Sequence, residues 1–118
     1  MENLTKSLFD QKITNFSFDK DWKFAGSKPI IIDFYAGYCS PCKILAPVLE
    51  QLQTEYGDKI EICKVDTEVE AELPSMFGIR SVPTLMFFVP GEPYFTKVGA
   101  LPKVMLEKII KEQMKVEK

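Results

Sequence analysis

The sequence contains no histidine. That removes histidine-ligated metals, imidazole acid–base chemistry and every nucleophile that relies on a histidine partner. Cysteine is scarce too: three residues, an odd number and too few for a disulfide framework. No apolar run approaches the roughly 20 residues that a membrane span needs, and the opening "MENLTKSLFDQK" lacks the apolar core of a secretory leader. The expected location is the cytoplasm, with the periplasm or the exterior as the alternative if a leader has been trimmed. Neither sign of charge dominates. The net charge is −2 with Lys and Glu interspersed, so nucleic acid is not an expected partner, and neither is a membrane. Linkers, repeats and low-complexity tracts are missing as well, and 118 residues at 46% hydrophobic content fit a single domain, residues 1–118, with its own core.

What is present alternates between strand and helix patterns. "KPIIIDFYA" (28–36) is a continuous β-prone run of the kind that forms central strands covered on both faces. In "SPCKILAPVLEQLQTEYG" Leu45, Val48, Leu49 and Leu52 form one helical stripe. Pro41 suits the first turn of that helix, Pro47 predicts a kink and Gly57 a stop. "KIEICKVD" (59–66) reads as a strand with Ile60 and Ile62 on one face. "EVEAELPSMFG" is a short helix ended near Gly78. "TLMFFV" (84–89) and "YFTKVG" (94–99) form a hairpin around "PGEP". "LPKVMLEKIIKEQM" closes as an amphipathic helix with Leu101, Met105, Leu106, Ile109 and Ile110 inward. Ahead of these, a helix is expected near 4–11, a strand around 13–18 and a helical turn near Trp22. The pattern predicts an α/β fold in three layers, a central mixed sheet with helices on both faces. Segments 30–36 and 59–66 should be parallel across a right-handed crossover.

Cys39 and Cys42 fall between a strand end and a helix start. In an open α/β sheet, functional groups gather beyond the carboxyl ends of the strands. Helix N-terminal N–H groups stabilise an anion, so a thiolate there is favoured. Two intervening residues let the sulfurs meet and form a disulfide, and the pair can cycle between dithiol and disulfide. A zinc site wants four ligands, and only Cys63 and carboxylates are left to supply the others. A static disulfide over so short a loop would stabilise little. Redox chemistry is the reading that uses the whole context. Cys63 sits mid-strand among Ile60, Ile62 and Val65, where a free cysteine packs as a small hydrophobe.

Asp33 lies inside "IIIDF". Burial without a partner raises the pKa of a carboxyl. Such an acid near the cysteine end of the sheet can take a proton from Cys42 as it attacks and return it later. The alternative is an edge aspartate that turns to water or caps a backbone N–H. Lys64, on the neighbouring strand, is a candidate compensating charge, although a lone lysine is commonly solvated surface.

These residues resemble the thioredoxin family, in register over roughly residues 28 to 114. "IIDFYAGYCSPCKILAPVLEQL", "KVD" (64–66), "FGIRSVPTLMFF" (77–88) and "KVGAL" (97–101) follow in order at the family's separations. The resemblance implies the thioredoxin fold and thiol–disulfide oxidoreductase activity, with no cofactor or metal beyond the redox-active Cys39–Cys42 pair. It implies an exposed nucleophile at Cys39, a shielded resolving thiol at Cys42, a buried acid at Asp33 with Lys64 beside it, and a cis bond before Pro83. By the same resemblance Val82 offers backbone to an extended substrate, and Gly99 and Ala100 complete an apolar docking surface with Tyr38, Pro41 and Pro83. The implied partners are disulfide-containing proteins as substrates and thioredoxin reductase, flavin-dependent in this family, or another thiol–disulfide donor. An oxidising or isomerising protein of an oxidative compartment and a non-catalytic binding module are the alternatives.

The departures from the family pattern lie at the motif. "YCSPC" carries Tyr38 for tryptophan and Ser40 for glycine, and Tyr35 stands where tryptophan is common. Ser40 is expected to add a hydroxyl donor near sulfur, making the pair somewhat more oxidising. The first 28 residues match the family poorly.

Overall fold

The computed structural model describes residues 1–118 and follows the predicted alternation. Its elements are β1 (Glu2–Asn3), α1 (Lys6–Lys12), β2 (Ile30–Tyr35), α2 (Ser40–Tyr56), β3 (Glu61–Asp66), α3 (Glu72–Met76), β4 (Thr84–Phe88), β5 (Phe95–Val98) and α4 (Lys103–Glu112). The five strands form one mixed sheet in the order β1-β3-β2-β4-β5. β1 and β2 both run parallel to β3, while β4 is antiparallel to β2 and to β5. The central strand β2 is apolar throughout except for Asp33, because both of its faces are covered.

Alternation along the strands sends side chains into two cores. Ile31, Leu85 and Phe87 meet Leu45, Leu49 and Leu52 of α2 and Leu106 and Ile110 of α4. Ile30, Ile32, Phe34, Met86 and Phe88 face the other way, against Phe9, Phe24 and Leu73. Helix α2 runs through Pro47 and stops at Gly57, whose φ of 61° is the left-handed value that favours glycine. No helix is long and apolar enough to cross a membrane.

Two expectations are corrected. Residues 13–18 form no strand; Phe16 and Phe18 instead stack edge-on, 4.9 Å between centroids, and Phe16 also lies against Phe77. Met105 is 50% exposed, so the inner face of α4 is carried by Leu106, Ile109 and Ile110. The turn expected near Trp22 is present, closed by the Trp22 N–H donating to the Asp19 carbonyl at 2.9 Å. The helix expected at 4–11 forms at Lys6–Lys12, where the Thr5 hydroxyl accepts the Leu8 N–H at 3.1 Å. Sheet edge β1 has no sequence pattern of its own, being only two residues long.

Candidate active site

Strand β2 ends at Tyr35 and the chain enters α2 at Ser40, so the four intervening residues deliver Cys39 to the helix mouth. Cys39 is the N-cap residue: extended, with its sulfur accepting the Cys42 N–H at 3.2 Å. This satisfies one of the orphan amides of the first helical turn, and contact with helix N-terminal amides is the kind that favours negative charge on a thiolate. Pro41 occupies the first turn, where a missing N–H leaves nothing unsatisfied, and is exposed. Cys39 and Cys42 are joined as a disulfide, Cα to Cα 5.2 Å.

The two cysteines and Ala36 form a small apolar cluster of their own, against which Tyr35 and Val82 pack. The Cys39 sulfur lies 3.6 Å from the Val82 carbonyl oxygen. The Val82–Pro83 peptide is cis. Pro83 is buried and its carbonyl accepts the Gly99 N–H at 2.8 Å, which ties the β5–α4 loop to this edge. Tyr38 is 75% exposed, and with Val82 it lines a groove of about 260 Å3 beside the disulfide. Ala100 is half-buried and packs against the core beneath α2 and α4.

The expected contrast between an exposed Cys39 and a shielded Cys42 is small in this oxidised state, at 7% and 4% exposure respectively. Nor does the expected Ser40 donor appear: its side chain is exposed and makes no hydrogen bond to either sulfur.

Asp33 is 3% exposed, and its Oδ1 has no hydrogen-bond partner. That oxygen caps no amide. Desolvation pushes its carboxyl from an ordinary 3.8 up to about 7, with the Lys64 charge pulling weakly the other way. Asp33 and Lys64 are direct partners in the β2–β3 register. Cys63 is fully buried on the opposite core, where burial foremost and the Glu61 charge next push its thiol up to about 12. It is packing, as its position predicts. No three Cys, Asp or Glu side chains gather where a metal ion could sit.

Several site residues carry no signal in the sequence. Thr67, Pro74, Ile79, Arg80 and Ser81 line the same groove as Tyr38. Glu68 accepts the Gly37 N–H at 2.8 Å and ties the loop before Cys39 to the one after β3. Only "GIRS", adjacent to "VPT", offers a hint, because whatever precedes that proline must lie near the cysteines.

Comparison with known proteins agrees with this geometry. The family profile described as Thioredoxin matches residues 2–112. A thioredoxin of Borreliella burgdorferi is 42% identical over 111 residues, covering 93% of this chain and 94% of that protein. One from Acidithiobacillus ferridurans is 37% identical over 102 residues, covering 86% and 94%. The solved structure of a chloroplastic thioredoxin z superposes with a TM-score of 0.80 at 26% identity, covering 98% of this chain and 94% of that one. With the family profile matching residues 2–112 and nearly its whole length aligned with these proteins, the chain belongs to the thioredoxin family.

Proposed function

We propose a division of labour for this thiol–disulfide oxidoreductase, in which Cys39 attacks substrate disulfides, Cys42 resolves them and Asp33 carries the proton. The Cys39 thiolate attacks one sulfur of a protein disulfide. A mixed disulfide forms, and the other substrate sulfur leaves as a thiolate that takes a proton from water. The Cys42 thiol then gives its proton to the ionised Asp33 carboxylate and attacks the Cys39 sulfur. The second substrate thiolate leaves and is protonated by Asp33. Two electrons have passed from the dithiol to the substrate, and the Cys39–Cys42 bond remains.

One observation carries this reading: the Cys39 sulfur caps α2 and takes the Cys42 amide at 3.2 Å, while standing 3.6 Å from the Val82 carbonyl. An anion is held there beside backbone that an extended substrate can pair with. Tyr38, Pro41, Val82, Pro83, Gly99 and Ala100 are the proposed docking surface, and Lys64 the charge that tempers Asp33. Thioredoxin reductase or another thiol–disulfide donor restores the dithiol, in the cytoplasm. No bound cofactor takes part. The test is a pair of variants: Cys42→Ser accumulates substrates linked covalently to Cys39, and Cys39→Ser loses insulin disulfide reduction. Full activity in Cys39→Ser contradicts the reading.

A further inference from the structure

Tyr35 is a residue the reaction above does not use, yet it touches three parts of the site. Its ring packs against the Ala36–Cys39–Cys42 cluster. The Lys64 ammonium lies 5.6 Å from the centre of that ring, within cation–π range. Its hydroxyl donates to Asn3 Oδ1 at 3.1 Å, and Asn3 is the β1 register partner of Lys64. Tyr35 follows Asp33 by two residues on β2, so both side chains leave the same face of the sheet. Lys64 stands directly across from Asp33, with Tyr35 on the diagonal.

A lysine facing a buried aspartate across one strand pair would ordinarily close an ion pair with it. Here it does not: Asp33 Oδ1 has no partner at all, and the ammonium rests on the ring. We propose that Tyr35 is a positioning residue, pinned by Asn3, whose ring parks the Lys64 ammonium and keeps it from pairing with Asp33.

The consequence for the reaction rests on the proposed role of Asp33 as proton carrier. A paired aspartate holds its charge too firmly to accept a proton from a thiol, whereas an unpaired buried one accepts it readily. The charged and titratable groups around Asp33 are few. β3 contributes Lys64 and Asp66, β2 contributes Tyr35, β4 presents the apolar Leu85, and α2 carries Cys42, the thiol that the proposed proton transfer uses. Asp66 lies opposite Tyr35 and is the competing acceptor for a released ammonium. The raised pKa of Asp33, caused foremost by burial with Lys64 lowering it only in second place, fits a cation that is near but unpaired.

The experiment is a carboxyl-carbon NMR titration of Asp33 in the full-length oxidised protein. Tyr35→Leu removes the ring and should lower the Asp33 midpoint by about one pH unit or more as Lys64 closes on it. Tyr35→Trp keeps a ring and should keep the wild-type midpoint. Lys64→Met should raise it, and Tyr35→Leu with Lys64→Met should match Lys64→Met alone. An unchanged or raised midpoint in Tyr35→Leu overturns the proposal, and so does a double variant that falls as far as Tyr35→Leu. Should Tyr35→Leu fail to fold, the unmodified protein decides. Lys64 ε-methylene protons shifted upfield by the ring support the proposal, and unshifted ones overturn it. Release of mixed disulfide is followed separately in single turnovers. A midpoint that moves without any change in release counts against Asp33 as proton carrier and leaves the Tyr35–Lys64 contact standing.

Discussion

The Cys42 amide donates to the Cys39 sulfur across 3.2 Å, so the residue proposed to resolve the mixed disulfide already contacts the sulfur it would attack. The sequence spacing makes this possible, since an N-cap side chain reaches the N–H two or three residues on. The contact is present in the disulfide, and in the dithiol it is expected to hold the thiolate.

Asp33→Asn should stabilise the protein in a pH-dependent way. Both folded and unfolded chains carry a protonated Asp33 below about pH 4, and there the variant gains little. Between pH 4 and 7 the unfolded chain ionises first, because the folded carboxyl is held up at about 7. Wild-type stability therefore falls across that window. Above it the deficit is constant at about 4 kcal/mol, the free energy of raising the carboxyl from 3.8 to about 7. Urea unfolding at pH 4 and pH 8 checks this, and an equal gain at both values would refute it. The same variant should release mixed disulfide more slowly.

Phe9→Ala should cost about 3–5 kcal/mol. Phe9 is fully buried and makes edge contacts with Phe16, Phe77 and Phe88 at 5.7–6.1 Å between centroids. It joins α1 and the segment after it to the sheet, so its loss opens a cavity under three other rings. Denaturant midpoints measure the change. A loss under about 1 kcal/mol would mean the N-terminal segment is a loose appendage.

Gly99→Val should both destabilise the fold and weaken docking. Gly99 has φ of 104°, and nothing lies within 4 Å of where a Cβ would sit. The penalty is therefore conformational, about 1–3 kcal/mol, and for a β-branched residue it falls toward the upper end. The hydrogen bond to the Pro83 carbonyl is strained with it, so KM for insulin should rise more than kcat falls. Unaltered KM would remove this loop from the docking surface.

How much could be read from the residues alone varied with how local the cause was. The continuous run of β2, the stripe Leu45–Leu49–Leu52 and the stop at Gly57 are local patterns, and each appears as expected. The cysteine pair was legible for the same reason, since its chemistry follows from three residues of spacing and the strand before it. Segment 13–18 was not. Its alternating aromatics suggest a strand, but Phe16 is recruited by Phe9, Phe77 and Trp22 from elsewhere in the chain, and a sheet partner is missing. Two-residue β1 exists only because β3 offers an edge. Thr67, Glu68 and Arg80 reach the site through loops whose course depends on the whole fold. Met105 fits the helical stripe and is exposed nonetheless, because α4 leans on α2 with Leu106, Ile109 and Ile110.

The most direct measurement is the rate of iodoacetamide alkylation of the reduced protein as a function of pH, with the modified residue located by mass spectrometry. A thiolate held by the opening turn of α2 should put the label on Cys39 first, with a midpoint well below the 8.5 or so of a free cysteine. A midpoint at or above that value, or a label that lands first on Cys42, would contradict the account.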